Sequence, residues 1–266
     1  MKSLFIKVSI TLLVLYILLC GLVYFIQEKL IFFPEKLDKD FKFDFGQEYQ
    51  EINFKTSDNL QLNAVLFPAS HSKGLIFYLH GNAGSINSWG GVAKTYTDLN
   101  YDVMIMDYRG FGKSDGNIST QAQLFQDAQI AYDEMKSIYD ENKIIVLGYS
   151  LGSGIAAKIA STNQPRLLIL QTPYYSVTDM MRHTYPILPT FILKYKLETN
   201  KFLKGCKIPI VLFHGDQDEV IYYNSSVKLK SIIKKTDRLI TLPGQGHNGI
   251  TDNQDYKSAL EKILAE

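Results

Sequence analysis

Along most of the chain, short uninterrupted apolar runs alternate with longer stretches in which apolar and polar positions recur at helical spacing. The runs Leu75–Leu79, Val103–Met106, Ile144–Leu147, Leu167–Leu170 and Ile210–Phe213 carry no polar alternation. They read as parallel strands covered on both faces by helices. Between them, Ser88–Leu99, Thr120–Tyr139, Leu151–Ser161, Ser225–Lys235 and Tyr256–Ala265 read as helices, the second capped by Ser119. Upstream, Glu51–Phe54 and Leu62–Phe67 flank the turn-forming Thr56-Ser57-Asp58-Asn59 and predict an antiparallel hairpin at the start of the sheet. The fold class is therefore α/β, with a mostly parallel central sheet flanked by helices. Its regularity breaks once, where an aromatic, proline-punctuated insertion spans residues 172–206. An insertion of that length between two strands predicts a small cap.

The N-terminus follows a different pattern. Val8–Ile26 carries no charge. At 1.5 Å per residue a helix of this length matches the bilayer hydrocarbon core of about 30 Å. A cleaved signal peptide would have a shorter apolar region ending in small residues, which Tyr24, Phe25, Ile26 and Gln27 do not provide. Lipid attachment at Cys20 would call for a small residue just before it, where Leu18 and Leu19 stand. The expected organisation is a single-pass membrane anchor over residues 1–27, in contact with the membrane through residues 8–26, followed by one catalytic domain over 28–266. Lys2 and Lys7 on one side face Lys29, Lys36, Lys39 and Lys42 on the other, so charge alone does not orient the anchor. Long domains are translocated largely regardless of charge, which favours a catalytic domain on the extracytoplasmic side.

Composition narrows the classes. At 266 residues, with 46% hydrophobic and 21% charged, the chain has the material for one sizeable folded core and not the signature of disorder. A formal charge of +1 provides no field for a polyanion, so no nucleic-acid partner is expected. Cys20 and Cys206 are too far apart in character and position to suggest a disulfide, and no Cys/His spacing suggests a metal site. No cofactor is expected, and the protein is expected to be a monomer.

The candidate chemistry begins with Gly148-Tyr149-Ser150-Leu151-Gly152, directly after one apolar run and directly before a helical stretch. A tight strand-to-helix turn tolerates only glycine at its flanks and lifts the central hydroxyl above the sheet, which makes Ser150 a candidate nucleophile rather than a mere helix cap. His80-Gly81-Asn82-Ala83-Gly84 follows another strand, where a loop can aim backbone N–H groups at a developing oxyanion. The amides of Asn82 and Leu151 are the candidate donors, and His80 reads as a loop-fixing residue. His214-Gly215-Asp216-Gln217-Asp218 and Gly244-Gln245-Gly246-His247 then supply an acid and a base, giving the chain order Ser, Asp, His. Asp218, a few residues beyond its strand, is preferred over Asp216, which is better placed to cap the turn. Arg109 at a strand end is read as holding loops together rather than binding substrate. Trp89, and Tyr174, Tyr175 and Tyr185 in the insertion, are candidates to line an acyl pocket, against ordinary packing as the plainer reading.

HGNAG, DYRGFGKSDG from Asp107, GYSLG, HGDQDEVI and GHNG, in that order behind an anchor ending in LIFFPE, resemble the bud-emergence-type branch of the membrane-anchored α/β-hydrolases over nearly the whole chain. The resemblance implies the α/β-hydrolase fold and a catalytic serine, aspartate and histidine at Ser150, Asp218 and His247. It departs at Tyr222, where many relatives have proline.

Together these readings predict hydrolysis of a carboxylic ester or thioester through an acyl-enzyme, on a small-molecule or acyl substrate near a membrane. Two alternatives stand beside it: a serine peptidase on the same fold, and a non-catalytic membrane-anchored binding protein. The apolar content of Tyr185-Pro186-Ile187-Leu188-Pro189 and Phe191-Ile192-Leu193 suits a lid over an acyl chain or ordinary packing on the core.

Overall fold

The computed structural model describes residues 1–266. Its first element, α1 (Lys2–Ile31), contains the whole apolar run and extends a turn beyond it at each end. It is long and apolar enough to cross a membrane. β1 (Phe33–Pro34) follows, then a connector to the hairpin β2 (Gln50–Lys55) and β3 (Gln61–Phe67). The hairpin turn closes where Asn59 adopts a positive φ and the Thr56 hydroxyl accepts from Leu60 N–H.

The remaining elements are β4 (Leu75–Leu79), β5 (Ala83–Gly84), α2 (Ile86–Trp89), α3 (Ala93–Thr97), β6 (Asp102–Met106), α4 (Gln121–Ile138), β7 (Ile144–Tyr149) and α5 (Leu151–Thr162). After them come β8 (Leu167–Gln171), α6 (Val177–Thr184), α7 (Thr199–Gly205), β9 (Ile210–Gly215), α8 (Asn224–Lys230), β10 (Arg238–Leu242) and α9 (Gln254–Ala265). The main sheet has eight strands in the order β10-β9-β8-β7-β4-β6-β3-β2. β2 and β3 run antiparallel and the other pairings, apart from β3 with β6, are parallel.

Every residue of β4, β6, β7, β8 and β9 is buried, because alternate side chains enter two separate cores. Phe77 and Val146 pack with α4 and α5 on one face, while Ile76, Ile145 and Tyr78 pack with α3 and α9 on the other. Burial on both faces is the reason these strands have no polar alternation.

Several elements differ from expectation. The helix expected over Ser88–Leu99 is broken into α2, a single 3-10 turn and α3, with Gly90 and Gly91 at the break. Thr120, not Ser119, caps α4, its hydroxyl accepting from Gln123 N–H at 3.1 Å. The helix expected to reach Lys235 stops at Lys230. β10 was not foreseen, since it is a half-exposed edge strand interrupted by Arg238 and Thr241. The insertion contains α6, a 3-10 turn at Thr190–Ile192 and α7, which packs on α5 and so belongs to the wall of the domain rather than to a lid.

Arg109 ties the hairpin turn to α4, as a loop-holding residue should. Its buried guanidinium donates to Asp127 through Nε at 2.5 Å and to Asp58 through Nη1 at 2.6 Å. Arg109→Ala leaves the buried Asp127 carboxylate unpaired. We expect a loss of about 3–5 kcal/mol, read as a lowered midpoint of thermal unfolding in detergent. An unchanged midpoint would show that the pair is dispensable.

Candidate active site

Register places the candidate site before any side chain is considered. Leu79 pairs with Gly148, so the loops leaving the carboxyl ends of β4 and β7 lie side by side, and the ends of β8 and β9 continue the same edge. All the candidate residues leave the sheet along this edge.

Ser150 sits between β7 and α5 with φ 50° and ψ −115°, a conformation that non-glycine residues rarely adopt. The flanking glycines permit it. A Cβ on Gly152 would lie 2.0 Å from the Leu79 carbonyl oxygen, and one on Gly148 would lie 2.4 Å from the Gly152 carbonyl oxygen. The strained turn is held by Ser150 N–H donating to Gln171 O at 3.0 Å.

The structure brings Ser150, Asp218 and His247 together, and all three are buried. His247 Nε2 is 3.1 Å from Ser150 Oγ, while its Nδ1 is 2.8 Å and 3.0 Å from the two oxygens of Asp218. A carboxylate only accepts, so Nδ1 carries the proton and Nε2 offers its lone pair to the serine hydroxyl. Burial by itself would raise the Asp218 carboxyl. Hydrogen bonds from His214 and His247, together with the Ile221 N–H, outweigh burial and hold it well below the usual carboxylate range. Asp218 is thus ionised wherever the protein is folded near neutrality.

Asp216 accepts from Gly244 N–H at 2.7 Å and caps the turn between β10 and the histidine loop. It does not reach His247. Two further residues support the base without having been singled out. His214 Nε2 lies 3.1 Å from Asp218 Oδ2 and 2.8 Å from Ile221 O, so it donates to the carboxylate oxygen that the base approaches most closely. The Tyr149 hydroxyl donates to His247 O at 2.6 Å. His214 stands four residues before Asp218, in a stretch whose stronger pattern is its acids, and Tyr149 fills a position where the turn specifies nothing, so neither carries a sequence signal.

Asn82 and Leu151 open the two loops that register sets side by side, and neither backbone N–H donates to another protein group. The Asn82 loop is pinned from outside by the foot of α1. Its side-chain Nδ2 donates to Ile31 O at 2.8 Å, its carbonyl accepts from Phe33 N–H at 2.8 Å, and β1 pairs with β5 just beyond it. His80 is fully buried and bonds the Gly81 carbonyl at 2.7 Å, a loop-fixing role as expected.

The aromatic candidates divide. Tyr174 does not face a substrate space: it is 3% exposed, its hydroxyl donates to Leu151 O at 3.1 Å, and it fills the room left by Gly154 of α5. That is a correction to the pocket-lining expectation, since the side chain turns inward to support the nucleophile helix. Tyr175 is half-buried against the same core, with Lys228 Nζ 5.8 Å from its ring centre. Trp89 does line a cavity of about 400 Å³, together with Tyr149 and Asn248, the sequence neighbours of Ser150 and His247.

Comparison with known proteins gives the family and the fold. The family model described as serine aminopeptidase, S33, matches residues 70–204, just over half of the chain. The chain belongs to this family of α/β-hydrolases. The matched segment includes the elbow at Ser150 and ends before Asp218 and His247, which the fold brings to it. The chain is also similar in sequence to individual proteins along most of its length. It is 29% identical over 236 residues to the protein bem46 of Schizosaccharomyces pombe, covering 84% of this chain and 79% of that one. Among solved structures, it is similar to the Pyrococcus furiosus esterase Pf2001, with a TM-score of 0.68 at 19% identity over 88% of this chain and 97% of that one. It is also similar to Est1E of Butyrivibrio proteoclasticus, whose structure holds ferulic acid, with a TM-score of 0.65 at 20% identity over 80% of this chain and 99% of that one. At those identities the two structures establish the α/β-hydrolase fold and no more.

Proposed function

We propose that this α/β-hydrolase is a serine hydrolase that cleaves carboxylic ester or thioester bonds through an acyl-enzyme. The observation that carries the reading is the continuous hydrogen-bonded line from Asp218 through His247 to Ser150 Oγ. His247 Nε2 takes the hydroxyl proton as Ser150 Oγ attacks the substrate carbonyl, and Asp218 stabilises the imidazolium that results. The amides of Asn82 and Leu151 receive the oxyanion. The imidazolium then protonates the departing alcohol or thiol. A water deprotonated by the same histidine releases the acid and regenerates the serine.

α1 is read as a single-pass anchor with the catalytic domain on the extracytoplasmic side, and the working unit as a monomer. These assignments suit a substrate with an acyl or lipid-like portion close to the bilayer. A second reading, an aminopeptidase, has one observation in its favour, the description of the matching family model. The two separate on chromogenic substrates. We expect the full chain in detergent to hydrolyse p-nitrophenyl acetate and butyrate and to leave alanine p-nitroanilide uncleaved. Cleavage of the anilide with no turnover of either ester would reverse the assignment.

A further inference from the structure

α1 is not a free-standing anchor. One stripe of it, at Tyr16, Cys20, Val23 and Gln27, is partly or wholly covered, and what covers it is the insertion. The Tyr16 hydroxyl donates to Ile187 O at 2.7 Å. Gln27 Nε2 donates to Ile192 O at 2.8 Å, and its Oε1 accepts from Lys194 N–H at 2.9 Å. The insertion therefore follows α1 for about three turns.

The depth of that contact matters. Ile26 ends the uncharged run, and Tyr16 lies ten positions further in, about 15 Å along the axis, which is half of a hydrocarbon core of about 30 Å. If α1 crosses a bilayer, then the stretch Tyr185–Leu193 shares a leaflet with it.

The chemistry of the stretch fits that place. Ile187 and Phe191 are 78% and 83% exposed, although burying such side chains is worth about 1.5–3 kcal/mol each. Irregular backbone survives at membrane depth only when its polar groups are satisfied by protein. Pro186 and Pro189 bring no N–H, that of Tyr185 bonds Met181 O in α6, those of Leu188, Ile192 and Leu193 bond within the segment, and Tyr16 and Gln27 take two of its carbonyls, which leaves the N–H groups of Ile187, Thr190 and Phe191 without a protein partner. Gln27, the first strongly polar residue after the uncharged run, thus serves the insertion's backbone. Charges appear at both ends of the stretch, with Arg182 before it and Lys194 after it, and Lys194 is paired with Glu28 at the foot of α1 at 3.2 Å. That is the level of the headgroups.

Between the two walls runs a groove of about 500 Å³, lined by Ile17, Cys20 and Gly21 of α1 and by Pro189, Phe191 and Ile192 of the insertion. A Cβ on Gly21 would meet nothing within 4 Å, so the helix itself leaves room there.

We propose that Tyr185–Leu193 is embedded in the leaflet beside the domain-proximal half of α1, and that the groove between them holds a fatty-acyl chain of the surrounding lipid. The proposal rests on reading α1 as a membrane-crossing helix. The occupant is a lipid chain rather than protein or solvent because the groove opens from a helix face that hydrocarbon surrounds, and its lining offers almost no polar group. Beyond the groove, α1 continues for about two turns to Ile31, whose carbonyl accepts from the Asn82 side chain in the proposed oxyanion loop.

The test uses the full chain in phosphatidylcholine–phosphatidylglycerol vesicles that contain a phosphatidylcholine with a diazirine in its tail. Illumination followed by peptide mass mapping should find lipid adducts on Pro189–Ile192 as well as on α1. In parallel, Phe191→Cys in a Cys20→Ala background is treated with a membrane-impermeant maleimide. Cys206 is silent here, being buried with its thiol pushed up to about 12 by that burial. Ile138→Cys, exposed at the end of α4 and remote from the insertion, reports reagent access to the domain. Labelling of Phe191→Cys should be lost in vesicles and restored in detergent, while Ile138→Cys is labelled in both. Equal labelling of the two in vesicles would overturn the embedding. Adducts confined to the outward face of α1, or chain-to-chain cross-links through the groove in place of lipid adducts, would overturn the acyl-chain occupant. Fluorophosphonate uptake by Ser150, measured on the same vesicles, reports on the hydrolase reading independently of either result.

Discussion

Asp218→Asn is expected to lower kcat for ester hydrolysis by about 10⁴-fold, roughly 5 kcal/mol of transition-state stabilisation, while Asp216→Asn stays within a few-fold of the parent. The asymmetry follows from what each carboxylate accepts. Asp218 Oδ1 takes the N–H groups of Val220 and Ile221, so an asparagine there keeps its carbonyl oxygen toward the backbone and turns its NH2 toward His247. A donor facing Nδ1 forces the proton onto Nε2, the nitrogen that must accept from Ser150. The base is then lost with little change in shape. Asp216 accepts only from Gly244 N–H, and the oxygen of asparagine can do the same. Turnover of p-nitrophenyl butyrate by both variants, each checked for folding by circular dichroism, decides the matter. A more severe loss in Asp216→Asn would mean that the acid is misassigned.

Much of this was legible in the chain. The central strands announced themselves because burial on both faces removes polar residues from them altogether, and the elbow was legible because its geometry excludes every side chain but hydrogen at Gly148 and Gly152. The acid could be chosen over its neighbour by its distance beyond the strand. β10 was hidden because an edge strand has one exposed side and needs no continuous apolar run. The inward turn of Tyr174 is not legible in the chain, because adjacency to Tyr175 says nothing about which side chain turns inward, a choice made here by the space above Gly154. The support that His214 gives Asp218, and the docking of α1 on the insertion, depend on partners the fold supplies. In the second case they are separated by 165 residues or more. No local pattern encodes such contacts.

The largest expected effect belongs to the nucleophile. Ser150→Ala should fold as the parent does, since alanine keeps the backbone bond to Gln171 and removes one oxygen from a buried site. It should lower kcat by about 10⁶-fold, to the residual rate that binding and the oxyanion donors alone can support. His247 and Asp218 would remain in place with no atom to activate. The strained turn at φ 50° gives a structural reason for the serine to be there, because such a conformation persists only where its surroundings impose it.

The central claim, that Ser150 is an activated nucleophile, is tested most directly by a fluorophosphonate probe, which needs no knowledge of the substrate. The full chain in detergent is incubated with the probe, digested, and its peptides weighed. The account predicts one phosphonyl adduct per chain on the peptide containing Ser150, and none in Ser150→Ala. An adduct on another residue that persists in Ser150→Ala, or no adduct at all on a folded parent protein, would contradict it.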